Sequence, residues 1–183
     1  MRTVAITQNI TLDGSIEFLG SWFDPGPAGD QADQLAELQR QQERSDGLLL
    51  GRRTFEDFRA YWPRQTDDQT GVAAHLNRVE KYVVSSTLAD PAWENTTVLT
   101  GDPIDQVKAL KEQAGRDIVV TGSIGLCHAL ITAGLVDEYR LFAYPATQGR
   151  GRRLFPEGYE ANLRLAEATS FRSGVTYARY TTA

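Results

Sequence analysis

The sequence predicts a three-layer α/β domain, in which a mostly parallel sheet lies between helices and carries antiparallel strands at its C-terminal edge. Short apolar runs at residues 47–51 (GLLLG) and 117–121 (DIVVT) are typical of strands that are buried on both faces. Helical patterns alternate with such strands as far as residue 134, as the crossovers of a parallel sheet require. Beyond residue 139 the helical patterns stop, and the remaining strands are separated only by glycine-containing loops.

The single elements follow from hydrophobic periodicity and from helix start signals. Asp102, Pro103 and Asp105 supply an N-cap, a proline in the first turn and an acidic residue near the helix N-terminus. Thr54 and Asp57 have the spacing of a capping box, which predicts a helix with Thr54 as its N-cap. The predicted strands are 3–7, 47–51, 81–85, 96–99, 117–121, 139–144, 162–169 and 175–180, and the predicted helices are 33–44, 54–62, 103–115 and 123–133.

Two predicted segments bear on function. Residues 10–30 are rich in glycine and proline, and a loop of that length in a compact domain is usually functional. The helix 33–44 carries Leu35 and Leu38 among glutamines and charged residues, so we expect its polar remainder to face water.

Length and composition favour one domain over residues 1–183 and argue against several functional classes. The net charge of −5 and the isoelectric point near 5.1 argue against a nucleic-acid binder. No apolar run approaches the ~20 residues that span a bilayer, and the N-terminus becomes polar too early for a signal peptide, so we expect a cytoplasmic protein. Cys127 is the single cysteine, and His75 and His128 have no partners at a recognisable spacing, so we expect no metal site.

Two strand-to-helix junctions have the residues of phosphate-binding turns. GRRT at residues 51–54 and TGSIG at residues 121–125 place glycines and hydroxyls where a helix N-terminus offers unpaired N–H groups. Arg52 and Arg53 add planar donors for a phosphate monoester. A tight turn for TGSIG, or a solvated helix start for GRRT, explains each motif equally well when it is taken alone.

Five landmarks in order resemble the dihydrofolate reductase superfamily. The chain is most similar to its single-domain branch related to the reductase domain of the riboflavin-biosynthesis deaminase/reductase. The landmarks are ITLDG (10–14), DGLLLGRRTFEDFRAYWP (46–63), LNRVEKYVVSSTL (76–88), DIVVTGSIGLCHALITAGLVDEYRL (117–141) and GRGRRLFPEG (149–158). The resemblance covers nearly the whole chain and implies a dihydrofolate-reductase-like fold, NADPH as cofactor, a small heterocyclic substrate and a homodimer.

The resemblance also implies where the cofactor binds. Each implied contact lies at the carboxyl end of a predicted parallel strand. The implied cofactor-binding residues are Gly51, Arg52, Arg53, Thr54, Ser85, Ser86, Thr87, Thr121, Gly122, Ser123, Ile124 and Gly125. The family usually has two adjacent glycines where this chain has Gly122 and Ser123.

Candidate catalytic and substrate-binding residues are fewer. Asp13 lies in the family's DG loop and is the carboxylate that we assign to substrate orientation or proton relay, although Asp-Gly is also a common turn pair. Trp22, Phe23, Tyr61 and Trp62 are candidates for stacking on a flat heterocycle, with core or lid packing as the alternative. The dihydrofolate reductases carry a substrate-binding carboxylate on the first long helix, and this sequence has no convincing match for it.

The function predicted from these features is hydride transfer from NADPH to a pterin-like, pyrimidine-like or related heterocycle. A free-standing 5-amino-6-(ribosylamino)uracil phosphate reductase of riboflavin biosynthesis is one alternative. An NADPH-binding protein without turnover, acting as a sensor or in sequestration, is the other.

Overall fold

The computed structural model describes residues 1–23 and 31–182, and these residues form one eight-stranded sheet with the strand order β4-β3-β2-β5-β1-β6-β8-β7. The strands from β4 to β6 in that order are parallel to one another, and β8 and β7 are antiparallel. The predicted fold class is therefore confirmed. The strands are β1 (Val4–Thr11), β2 (Ser45–Gly51), β3 (Glu80–Val84), β4 (Thr96–Leu99), β5 (Asp117–Val120), β6 (Glu138–Tyr144), β7 (Leu163–Ser170) and β8 (Thr176–Thr182).

Helices cover both faces of the sheet and bury a separate apolar cluster on each. On one face Leu49 packs in a cluster with Val107 and Leu130, and on the other Leu48 and Leu50 pack in a cluster with Phe55. The alternation along β2 therefore sends successive leucines into opposite cores. The helices are α1 (Ala32–Arg44), α2 (Arg52–Tyr61), α3 (Val72–Arg78), α4 (Pro103–Glu112) and α5 (Ile124–Thr132), with a 3₁₀ turn at Trp62–Arg64.

The first strand is longer than predicted. We expected it to end at the polar residues Gln8 and Asn9, but β1 continues to Thr11. Its second half pairs with β6, including the pairs Asn9–Phe142 and Thr11–Tyr144, so the polar side chains remain in a hydrogen-bonded strand. The predicted loop thus begins later than residue 10, and its part from 24 to 30 lies outside the described residues.

Helix α3 was not predicted, and side-chain hydrogen bonds from flanking residues stabilise both of its ends. At its start the Asp68 carboxylate accepts a hydrogen bond of 2.8 Å from the N–H of Ala73. At its end the ammonium group of the buried Lys81 donates to the carbonyls of Leu76 and Val79, at 2.8 and 2.9 Å. A seven-residue helix has little stability of its own, so these contacts explain why it forms.

The prediction that the polar residues of α1 face water is wrong at two positions. Glu37 and Gln41 are buried. The Gln41 side-chain N–H₂ donates to a Glu37 carboxylate oxygen at 2.8 Å, and its carbonyl oxygen accepts from the Thr7 hydroxyl at 3.2 Å. Helix α1 therefore presents an amide to strand β1, and Leu35 and Leu38 are only partly buried.

The amino ends of the parallel strands are held by ion pairs. Arg140 on β6 is fully buried and contacts the carboxylates of Asp117 and Glu138, the first residues of β5 and β6. Arg2 pairs with Asp46 in the same region. Charge is thus concentrated at the sheet edge opposite the strand-to-helix junctions.

Two kinds of feature are not found among the described residues. None of their helices has both the length and the apolar character needed to cross a membrane. In the same part of the chain, no three His, Cys, Asp or Glu side chains lie together in a way that could hold a metal ion.

Candidate functional site

The two glycine-containing junctions lie side by side and are joined by hydrogen bonds. They follow β2 and β5, which are neighbours in the sheet. The N–H of Gly51 donates to the Ser123 hydroxyl oxygen at 3.0 Å, and the N–H of Ser123 donates to the Thr54 hydroxyl oxygen at 2.9 Å. The N-termini of α2 and α5 therefore form one unit, here called the paired helix ends (residues 51–54 and 121–125).

The turn before α5 has a left-handed backbone that strand β1 holds in place. Gly122 and Ser123 have φ angles of +55° and +47°. The Gln8 side chain donates to the Gly122 carbonyl at 2.8 Å and accepts from the Gly122 N–H at 3.2 Å. A left-handed conformation is unusual for serine, and the bonds of Ser123 to Gly51 and Thr54, together with those of Gly122 to Gln8, hold the turn in it.

Both helices begin without a side-chain cap among the described residues. Gly51 and Ser123 are the N-cap residues of α2 and α5, and neither makes a capping hydrogen bond through a side chain. The prediction that Thr54 is the N-cap, with Asp57 in a capping box, is wrong, because α2 begins at Arg52 and the Thr54 hydroxyl serves Ser123 instead. Uncapped N-termini leave N–H groups that an anion can bind.

The two glycines of the TGSIG junction, Gly122 and Gly125, have different roles. A Cβ atom on Gly122 would lie 2.8 Å from a methyl carbon of Thr54, so this glycine makes room for the contact between the helices. A Cβ atom on Gly125 would meet no atom within 4 Å, and Gly125 is exposed in the first turn of α5. The space for an approaching cofactor phosphate is thus at Gly125, which fits the cofactor implied by the resemblance.

The other implied cofactor contacts differ in how free their side chains are. Arg52 and Arg53 are exposed at the start of α2, and Arg52 also approaches Glu56 at 3.7 Å. Ser85 is buried, and its hydroxyl oxygen accepts from the N–H groups of Thr87 and Leu88, so it stabilises the turn after β3. Ser86 and Thr87 are exposed at the same sheet edge, and Ile124 is buried, which leaves only its backbone to face a ligand.

A large cavity of about 830 Å³ lies beside the paired helix ends. Strands β1, β2 and β5 contribute Thr7, Leu48 and Val119 to its wall, and α1 contributes Leu35 and Leu38. Thr121 and Gly122 also line it, so the cavity and the proposed phosphate-binding edge share a border. The remaining lining includes aromatic residues from four segments of the chain: Phe18, Phe23, Phe58, Trp62, Phe142 and Tyr144.

The predicted substrate-stacking residues are only partly brought together. Trp62 and Phe23 line the large cavity. Tyr61 is 55% exposed and is not part of the lining. Trp22 packs against Tyr144 at a ring distance of 5.4 Å and lines a smaller neighbouring cavity of about 210 Å³.

The Asp13 carboxylate joins two loops. It accepts hydrogen bonds from the Thr11 hydroxyl at 2.6 Å and from the N–H groups of Gln148 and Gly149 at 3.1 and 2.7 Å. These bonds, the Thr11 hydroxyl first, lower the pKa of Asp13 to about 2. A carboxyl group that is ionised at neutral pH has no proton to donate, and Asp13 does not line the large cavity. These contacts give Asp13 a structural role in the turn and between the two loops, and the catalytic role stays a prediction.

Sequence reasoning missed several lining residues whose polar groups face the cavity. Asn9 is one of them, and its side-chain amide makes no hydrogen bond to the described residues. His75 is another, and burial, with Arg78 and Lys81 nearby, lowers its pKa to about 4. The alternation along β1 could have indicated Asn9, since Thr7 and Asn9 share a strand face, whereas His75 depends on the unpredicted α3.

Comparisons with known proteins agree with this architecture. Protein YyaP of Bacillus subtilis (strain 168), whose function is uncharacterized, is 30% identical over 186 residues, which cover 98% of this chain and 94% of YyaP. A pyrimidine reductase-like protein from Corynebacterium diphtheriae has a TM-score of 0.68 at 18% identity, with 100% of this chain and 92% of that one covered. A dihydrofolate reductase from Enterococcus faecalis, solved in complex with NADP(H), has a TM-score of 0.65 at 17% identity, with 98% and 96% covered.

A longer relative shares the same fold over part of its length. The Thermotoga maritima diaminohydroxyphosphoribosylaminopyrimidine deaminase/5-amino-6-(5-phosphoribosylamino)uracil reductase has a TM-score of 0.67 at 14% identity, and this chain covers 57% of it. Residues 2–177 match the RibD C-terminal domain family. The match takes in all of the sheet except the last residues of β8, together with both junctions and the cavity, and the chain belongs to the RibD C-terminal domain family.

Proposed function

We propose that this protein is an NADPH-dependent reductase of a small heterocyclic substrate. The observation that carries the proposal is the shared border between the paired helix ends and the large cavity, at Thr121 and Gly122. Anionic groups bind best at uncapped helix ends, and flat uncharged rings bind best in an apolar cavity, so one extended cofactor can occupy both. The family and its reductase-like neighbours support an oxidoreductase.

The cofactor would be held mainly by backbone groups and by two arginines. The N–H groups at the start of α2 and α5 would bind the pyrophosphate, and Arg52 and Arg53 would bind the extra phosphate of NADPH. When bound, NADPH supplies a hydride to an electron-poor C=N or C=O carbon of the substrate. The neighbouring heteroatom then takes a proton from water, because His75 is neutral at pH 7.

Two other functions have support of their own. Reduction of the riboflavin-pathway pyrimidine named for the Thermotoga maritima relative is supported by the family match. An NADPH-binding protein without turnover is supported by the contacts that occupy Asp13, since they leave the cavity without a carboxylic acid from this loop. An assay of NADPH consumption distinguishes the pyrimidine reductase from the binding protein without turnover, because only the reductase consumes NADPH.

The proposal also includes a cellular location and an oligomeric state. We place the protein in the cytoplasm, and we expect a homodimer. The edge strand β7 supports the dimer, because most of its residues are exposed and one of its sides has no neighbouring strand among the described residues. Light scattering of the purified protein tests the dimer directly.

The substitution Gly125→Val tests where the cofactor binds. The Cβ position is open in the structure, so the fold should tolerate valine, while the branched side chain would fill the space beside the helix end. We expect NADPH affinity, measured by fluorescence titration, to fall by about tenfold or more. Ala109→Val on the exposed face of α4 is the matched control and should leave the affinity unchanged. Unchanged NADPH binding in a folded Gly125→Val protein would remove α5 from the cofactor site.

A further inference from the structure

The large cavity is lined by neutral groups. Its described lining consists of apolar and aromatic side chains, amides and hydroxyls together with His75, and includes no Asp, Glu, Lys or Arg. The sequence of residues 24–30, DPGPAGD, contains two aspartates and no basic residue. A phosphate or carboxylate transferred from water into this cavity would lose its hydration without gaining a cation from these residues.

The titratable side chains in the lining are uncharged near neutral pH. The pKa of His75 is lowered to about 4, first by burial and then by Arg78 and Lys81. Burial raises the pKa of Tyr144, whose hydroxyl accepts a hydrogen bond of 3.2 Å from the Gln34 side chain. The described part of the lining therefore stays neutral over the whole physiological pH range.

The nearest buried carboxylate is turned away from the cavity and neutralised. Glu37 forms an ion pair with Arg40 and accepts a hydrogen bond of 2.8 Å from Gln41. Gln41, rather than Glu37, lines the cavity. Helix α1 thus presents the amide of Gln41, and not the carboxylate of Glu37, to the cavity.

Three amides of the described lining make no side-chain hydrogen bond to the described residues. They are Asn9 and Gln42, together with Gln31, which also borders the smaller cavity. Each amide offers donors and an acceptor, which match the N–H and C=O groups along the edge of a heterocycle. By contrast, the Gln34 and Gln41 amides are already engaged on both sides.

We infer that the substrate is an uncharged aromatic heterocycle without phosphate or carboxylate, recognised by the amides of Asn9 and Gln42. This inference rests on the proposed reductase function and narrows it. It disfavours phosphorylated pyrimidines such as the one in the name of the Thermotoga maritima relative. The substrate carbon accepts a hydride from NADPH and its heteroatom a proton from water, which leaves NADP⁺, hydroxide and a neutral product.

A matched pair of fluorescent probes tests this selectivity on the full-length protein. N-phenyl-1-naphthylamine is uncharged, and 8-anilinonaphthalene-1-sulfonate has the same ring system with an added sulfonate. We expect the uncharged probe to bind at least about tenfold more tightly. Leu38→Trp, which narrows the cavity, should weaken its binding, and this shows that the probe occupies the cavity. Equal or tighter binding of the sulfonate, or binding of neither probe, would overturn the inference.

A single positive charge added to the cavity lining should reverse the preference for the uncharged probe over the sulfonate. In Gln42→Lys we expect the affinity for the sulfonate probe to rise about tenfold relative to the uncharged probe. Gln69→Lys, at an exposed lining position, should act in the same direction and serves if Gln42→Lys fails to fold. Gln113→Lys, exposed at the end of α4, is the control and should change neither affinity. An unchanged preference in both lining variants would overturn the inference.

NADPH titration of the same samples separates the two proposals. Loss of NADPH binding with an intact preference for the uncharged probe would remove the reductase function and leave a protein that binds neutral ligands. Intact NADPH binding without a preference for the uncharged probe would leave the proposed reductase function standing and refute the inference that the substrate is uncharged.

Discussion

The hydrogen bond between Thr54 and Ser123 gives a sharp test of the paired helix ends. Replacement of Thr54 by valine keeps the shape of the side chain, including the methyl group near Gly122, and removes the hydroxyl oxygen that accepts from the Ser123 N–H at 2.9 Å. Ser123 is half-buried, so its N–H can partly regain water, and we expect a loss of about 1 kcal/mol, at the low end for an unsatisfied donor. For a chain of this size that corresponds to a decrease in Tm of about 2–4 °C.

The same substitution should also affect cofactor binding. The left-handed turn at Ser123 loses one of the bonds that fix it, so we expect NADPH affinity to fall several-fold. Thr54→Ser keeps the hydroxyl and should retain both the stability of the turn and the affinity. Thr132→Val, at the exposed end of α5, repeats the chemical change where no such bond exists. A Thr54→Val protein with wild-type Tm and wild-type NADPH affinity would show that this hydrogen bond does not organise the site.

Two further predictions concern charged residues. Replacing Arg52 and Arg53 by alanine should weaken NADPH binding by about tenfold or more and NADH binding much less. The control Arg164→Ala on β7 should change the affinity for neither cofactor. Equal losses for both cofactors would show that the two arginines do not bind the extra phosphate of NADPH. Asp13→Asn should leave turnover nearly unchanged and lower the Tm at neutral pH. This difference from the wild-type protein should shrink in acid, because the lowered pKa of Asp13 means that its stabilising effect is present above pH about 4 and is lost as the pH falls toward 2. Thermal unfolding over that pH range checks the second prediction, and a fall in turnover of about 10²-fold would instead support the relay role.

The order of strands and helices could be predicted because it depends on local patterns. The glycine-bounded leucines of β2 and the Asp102 N-cap signal are both short-range features, and the structure confirms both, the latter with Asp102 accepting from two N–H groups of α4. Helix α3 has no such start or stop signal. The bonds at its ends involve Asp68 and the buried ammonium group of Lys81, and burial of a lysine is not indicated by the local sequence.

The position of the site at the two junctions was predicted from the sequence, but the hydrogen bonds within it were not. Both junctions follow from their residues, but the choice of Thr54 as N-cap assumed that a hydroxyl near a helix start serves its own helix. In the structure that hydroxyl serves the neighbouring helix, a contact that requires β2 and β5 to be adjacent. The neutral cavity could not be predicted either, since it depends on which side of α1 faces the sheet.

The ion pairs at the amino ends of the strands have a consequence for how the molecule responds to solvent. Charged contacts, among them those of Arg140 and Arg2, join the strands at one edge, while neutral hydrogen bonds such as those of Gln8 and Thr54 join them at the other. Acid protonates the carboxylates of the first kind of contact and hardly affects the second. The protein can therefore lose much of its stability in acid while the geometry of the site, in the molecules that remain folded, stays as it is at neutral pH.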